Sequence, residues 1–157
     1  MSIYGKIAVM VPVMAAVLLG SLSSGVTAAN ASSTQCSGTR VPAGYVVTSI
    51  YNTAGCGASQ QPGNTYTLAT PAPGLAYCAA PTNAPAGYVI TSIYNAAACG
   101  PDILGLGNTY VPAMPAAGLA ICSQVSEIPA GWIATRNYNS SACSGYVSTG
   151  NTSIIEP

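Results

Sequence analysis

The side chains that could do chemistry are few: three carboxylates, Asp102, Glu127 and Glu156, three cations, Lys6, Arg40 and Arg136, six cysteines, and no histidine in 157 residues. Nucleophilic catalysis by serine needs a base to take its proton, and here neither His nor a conveniently paired carboxylate supplies one. Asp102 lies in Gly100-Pro101-Asp102-Ile103-Leu104, which lacks the alternating oxygen ligands of a calcium loop. The cysteines, at positions 36, 56, 78, 99, 122 and 143, form no C-x-x-C pair, and their spacing of about 20 residues matches no zinc pattern. No enzyme, cofactor site or metal site is expected from this set.

Charge removes further classes. Charged residues make up 4% of the chain, against about 25% in an ordinary soluble domain. Nucleic-acid binding needs clustered Lys and Arg, and a membrane-surface patch needs a polybasic run. Neither is present, so nucleic acid and membrane are not expected partners.

The first 31 residues read as a secretory signal peptide. Lys6 gives the positive start, Ile7 to Leu22 is apolar, and small residues follow, placing cleavage near Ala28 or Ala31. An apolar run interrupted by Pro12 falls short of the ~20 residues of a spanning helix. Export to an extracellular or periplasmic setting is therefore expected, with no membrane segment after cleavage. The exported chain would have no lysine, only Arg40 and Arg136 against three acids.

The remainder repeats. Pro42 to Cys56 recurs as Pro85 to Cys99 and Pro129 to Cys143, with the pattern P-A-G-[YW]-[VI]-x-T-x-x-Y-N-x-x-x-C. A G-N-T element recurs at Gly63, Gly107 and Gly150, and a G-L-A-x-C element at Gly74 and Gly118. After a short linker, 32–35, these divide the chain into repeats 36–77, 78–121 and 122–157, the third truncated before its G-L-A-x-C element. Each P-A-G reads as a turn, and each following stretch, rich in β-branched and aromatic residues, as a strand. Further strands are expected at Thr65 to Ala69, Gly74 to Cys78 and their equivalents. The fold class expected is all-β: three tandem disulfide-stapled modules of about 43 residues in a row. A single β-trefoil-like domain is the alternative, disfavoured by the short third repeat.

Six cysteines in an exported chain imply disulfides. One regular scheme pairs Cys36–Cys56, Cys78–Cys99 and Cys122–Cys143. The other pairs Cys56–Cys78 and Cys99–Cys122, leaving Cys36 to reach Cys143. The third repeat keeps two cysteines without the G-L-A-x-C element, which favours pairing within repeats.

Strict alternation along the main strand would put Val46, Thr48 and Ile50 on one face and Tyr45, Val47, Ser49 and Tyr51 on the other. Arg136 occupies the Ser49 and Ser92 position, so the second face reads as the wetter one. It would carry the candidate binding residues Tyr45, Tyr51, Tyr88, Tyr94, Trp132 and Tyr138. Rings beside Asn, Ser and Thr suit a sugar surface; the competing reading is that they pack as core. The function expected is a secreted, non-catalytic structural or surface-interaction protein that acts by self-association or by holding a surface ligand. The alternative is a soluble glycan-binding or partner-binding module, an inhibitor with Arg40-Val41 as bait included. In a eukaryotic host Asn139 and Asn151 would be glycosylation acceptors.

Overall fold

The computed structural model describes residues 32–59, 62–102, 105–143 and 150–157. The signal-peptide assignment lies outside them. Among the described residues nine strands form three antiparallel three-stranded sheets. The first contains β1 (Ser33–Cys36), β2 (Val46–Tyr51) and β3 (Thr65–Ala69) in the order β1-β3-β2. The second contains β4 (Tyr77–Cys78), β5 (Val89–Tyr94) and β6 (Thr109–Ala113), ordered β4-β6-β5. The third contains β7 (Leu119–Cys122), β8 (Ile133–Tyr138) and β9 (Thr152–Glu156), ordered β7-β9-β8. Three separate sheets in a row give the tandem architecture and not the closed trefoil barrel. The last strand of each module sits in the middle of its sheet.

Each signature residue of the repeat has a local task. In P-A-G the amide of Tyr45, Tyr88 or Trp132 donates to the carbonyl of Pro42, Pro85 or Pro129 at 3.0–3.2 Å. Gly44, Gly87 and Gly131 take φ of 81–84°, the third position of a type II turn that only a residue without Cβ fills cheaply. The invariant Thr is a bulge residue. Val47 pairs with Leu68 and Ser49 with Thr67, leaving Thr48 extra. Its hydroxyl donates to the Thr67 carbonyl, as Thr91 does to Val111 and Thr135 to Ile154, at 3.2–3.4 Å.

The two Asn residues lock the loop that follows. The Asn64 side chain accepts from the Thr53 amide at 2.8 Å and donates to the carbonyls of Thr53, Gly57 and Ala58. Asn52 holds the Asn64 amide at 3.0 Å. Asn108 and Asn151 repeat this arrangement on Ala96 and Ser140. The clamped loop contains a 3-10 turn (Ala54–Cys56, Ala97–Cys99, Ser141–Cys143) whose cysteine bonds to the first strand of the same module. The pairs are Cys36–Cys56, Cys78–Cys99 and Cys122–Cys143, with Cα separations of 5.2–5.3 Å.

Residues 32–35, read from sequence as a linker, supply most of β1, because Ser33 to Cys36 pairs with β3 from Leu68 to Thr65. The G-L-A-x-C element turns out to open each following sheet, ending in β4 or β7. The third sheet accordingly has all three strands, with its first, β7, begun inside the second sequence repeat.

The modules stack in one direction. The outer strand β2 lies against β4 and the 3-10 turn of the second module, and β5 against β7 and the turn of the third. Val47, Ile50 and Leu68 of the first module pack on the Cys78–Cys99 bridge of the second. Ile90 and Ile93 do the same with Cys122–Cys143, and Val89 sinks between Ile121 and Ile155. The free edge of β5 is closed as well, since the Ile90 amide donates to the Ser126 hydroxyl at 2.5 Å.

Both ends of the row are made polar. Ile50 pairs with Tyr66 and Ile93 with Tyr110, but the third module has Asn137 opposite Ser153, hydrogen-bonded at 2.6 Å. Ala134 replaces Val47 and Ile90. At the other end Ser33-Thr34-Gln35 stands where later modules have Leu-Ala-Tyr and Leu-Ala-Ile. Terminal repeats with polar outer faces are the usual caps of a solenoid. Ile133 is the exception: it is 61% exposed, while its counterparts Val46 and Val89 are 2% and 0% exposed.

Candidate functional site

The six aromatics do not share a face. The Thr48 bulge and its equivalents shift the alternation by one residue, so Val47 and Ile90 are buried and face the core. Tyr51 then shares the outer side with Ser49, while Tyr45 stays on the side of Val47 and Tyr66. The expected single aromatic face is thereby corrected to two separate sets.

Tyr45, Tyr88 and Trp132 close the P-A-G turns before each main strand. Tyr45 is 37% exposed. Tyr88 is half-buried and its hydroxyl donates to the Pro71 carbonyl, tying the turn to the preceding linker at 3.1 Å. Trp132 packs against the Val89, Ile121 and Ile155 cluster. Tyr51, Tyr94 and Tyr138 end the main strands, opposite Thr65, Thr109 and Thr152. Tyr51 and Tyr94 are exposed, at 37% and 43%. Tyr138 lies under the Arg136 guanidinium, 5.6 Å from its ring centre, a cation–π contact at the rim of the third sheet.

The cysteines and Asp102 are occupied structurally. All six cysteines are in disulfides. The Asp102 carboxylate accepts from the amides of Leu106 and Gly107 at 3.2 and 2.9 Å, closing its own loop. No group of three or more potential metal ligands occurs among the described residues. Asn151 is buried and donates its amide to Ser140 and Cys143, so in the folded module its nitrogen is not available for a glycan. Asn139 is exposed. No helix among the described residues is long and apolar enough to cross a membrane.

Comparisons with protein-family models, curated proteins and solved structures found no match.

Two grooves lie at the module junctions. A groove of about 500 Å³ lies at the first module junction, lined by the Pro42–Tyr45 turn, Tyr66 and Pro81 to Asn83. One of about 600 Å³ lies at the second, lined by the Pro85–Tyr88 turn, Tyr110 and Val125, Glu127 and Ile128. Tyr66 and Tyr110 were not among the sequence candidates. Their position on the central strand, two residues after the G-N-T asparagine, was the available signal. Behind the second groove, Tyr77 is fully buried, edge-on to Tyr110 at 5.9 Å, and its hydroxyl has no hydrogen-bond partner. Burial, with the neighbouring Tyr110, pushes the Tyr77 hydroxyl well above the usual tyrosine range.

Proposed function

We propose that the chain is an exported, non-catalytic contact protein: a capped row of three rigid modules that displays aromatic side chains at repeated positions. The observation that carries this reading is the division of labour among residues. The repeat signature is spent on turn, bulge, clamp and disulfide, and the carboxylate most buried in a loop, Asp102, holds backbone amides. The rings of Tyr45, Tyr51 and Tyr94 are left exposed. Three disulfides suit an oxidising compartment, in keeping with export. Polar caps at both ends favour contact with another surface over end-to-end growth of the row.

Retention of the purified protein on a panel of immobilised polysaccharides and extracellular proteins tests the proposal, with Tyr51→Ala combined with Tyr94→Ala for one set of rings and Tyr45→Ala for the other, loss in either variant counting. A ring that anchors an interface costs about 2 kcal/mol or more when removed. Lost retention at an unchanged melting temperature supports the reading. A lowered melting temperature with retention intact would mean that the rings serve packing alone.

A further inference from the structure

The two junction grooves are lined by equivalent residues at several positions. Tyr45 and Tyr88 stand on one rim, each delivered by a P-A-G turn, and Tyr66 and Tyr110 form the floor from the central strand. The opposite rim comes from the loop that follows the first strand of the next module, at Asn83 in one groove and Glu127 in the other. The stacking of modules therefore builds the same concavity twice along the row, from sequence that the repeat already contains.

Their charges differ. Arg40 lines the first groove and Glu127 the second, so no single charged group on a ligand suits both. The features they share are neutral: rings, prolines and a threonine. At the two junctions strand addition by a peptide is also blocked, because β2 and β5 are covered by the next module and the Ile90 amide is already taken by Ser126. A sugar ring needs none of the missing groups. Its C–H face stacks on an aromatic ring and its hydroxyls take amide, hydroxyl and carbonyl partners.

We propose that the two junction grooves are equivalent subsites for one neutral polysaccharide chain, with Tyr45 and Tyr88 as the stacking rings. This rests on the contact reading above and gives it a ligand class. Two linked subsites bind a long chain more tightly than a short one, through effective concentration alone.

Affinity electrophoresis of the mature protein through gels containing β-glucan, xylan, mannan or galactan tests it, with dextran sulfate as the anionic comparison. At least one neutral polymer should retard the protein. Tyr45→Ala and Tyr88→Ala should each weaken retardation by about tenfold or more, and the double variant should abolish it. Tyr88→Phe, which keeps the ring, should retain binding, as should Arg40→Ala and Glu127→Gln. Melting temperatures of all variants separate lost binding from lost folding. If Tyr88→Ala proves unstable, the exposed Tyr45 decides alone. Retardation by none of the neutral polymers, retardation indifferent to Tyr45→Ala in a folded protein, or dependence on Arg40 or Glu127 would overturn the proposal. If a proline-rich peptide is bound through the same rings instead, the glycan assignment fails and the contact reading stands. If no surface or polymer retains the protein, both fail.

Discussion

Removing the central disulfide should unsettle two modules, whereas removing the first should unsettle one. Cys36–Cys56 and Cys78–Cys99 close sequence separations of 20 and 21 residues, so loop-closure entropy gives about 3 kcal/mol for either. Packing separates them. Cys36 and Cys56 are half-buried. Cys78 and Cys99 are 0% and 6% exposed and form part of the core that covers Val47, Ile50 and Leu68. Cutting both sulfurs away there leaves a cavity at the junction worth about a further 1–3 kcal/mol. Cys78→Ala with Cys99→Ala should therefore cost about 4–6 kcal/mol, against about 3 for Cys36→Ala with Cys56→Ala. Denaturant unfolding followed by hydrogen exchange, resolved by module, reads the difference. The central pair should deprotect β2 of the first module as well as the second module. Equal costs for the two pairs, or unchanged protection in β2, would refute directional stacking as the source of junction stability.

Three further outcomes follow from single positions. Tyr77→Phe should raise stability by about 1 kcal/mol or more, since it removes a buried hydroxyl without a partner. Because the folded-state value of Tyr77 lies above its unfolded one, its share of stability is complete below the ordinary tyrosine value and declines as pH rises past it; thermal melts should show less alkaline loss in the Phe variant. Ile133→Asn should change stability by less than about 0.5 kcal/mol, while Val89→Asn at the equivalent buried site should cost about 3 kcal/mol or more in chemical denaturation. Exported material should begin near Ala29 or Ser32; N-terminal sequencing that recovered Met1 or Ser2 would contradict cleavage.

The modules were legible because each repeated residue does one structural job. Pro-Ala-Gly announces a turn, two cysteines per repeat announce a staple, and the spacing between them leaves little freedom. The bulge was not legible: a single Thr in a strand carries no sign that it is an extra residue, and strict alternation then assigned Val47 and Tyr51 to one face. The phase of the repeat was hidden for a related reason. Ser33 to Gln35 caps the row and so shares no residue with Leu75 to Tyr77 or Leu119 to Ile121, which left β1 unrecognised and made the third repeat read as short. The six ring candidates were found by type, but their exposure depends on the neighbouring module. Trp132 packs on the third core, whereas the equivalent Tyr45 lines an open groove. Neither outcome can be seen within one repeat.

Sedimentation velocity of the mature protein across a wide concentration series tests most directly the claim that it is a capped row presented to other surfaces. Asn137 with Ser153 at one end, and Ser33 to Gln35 at the other, leave no second junction like the two within the chain. A single monomeric species at every concentration is the predicted result. Steady growth into longer assemblies with concentration, abolished by Ile133→Asn, would mean that the ends are open and that the rows join head to tail.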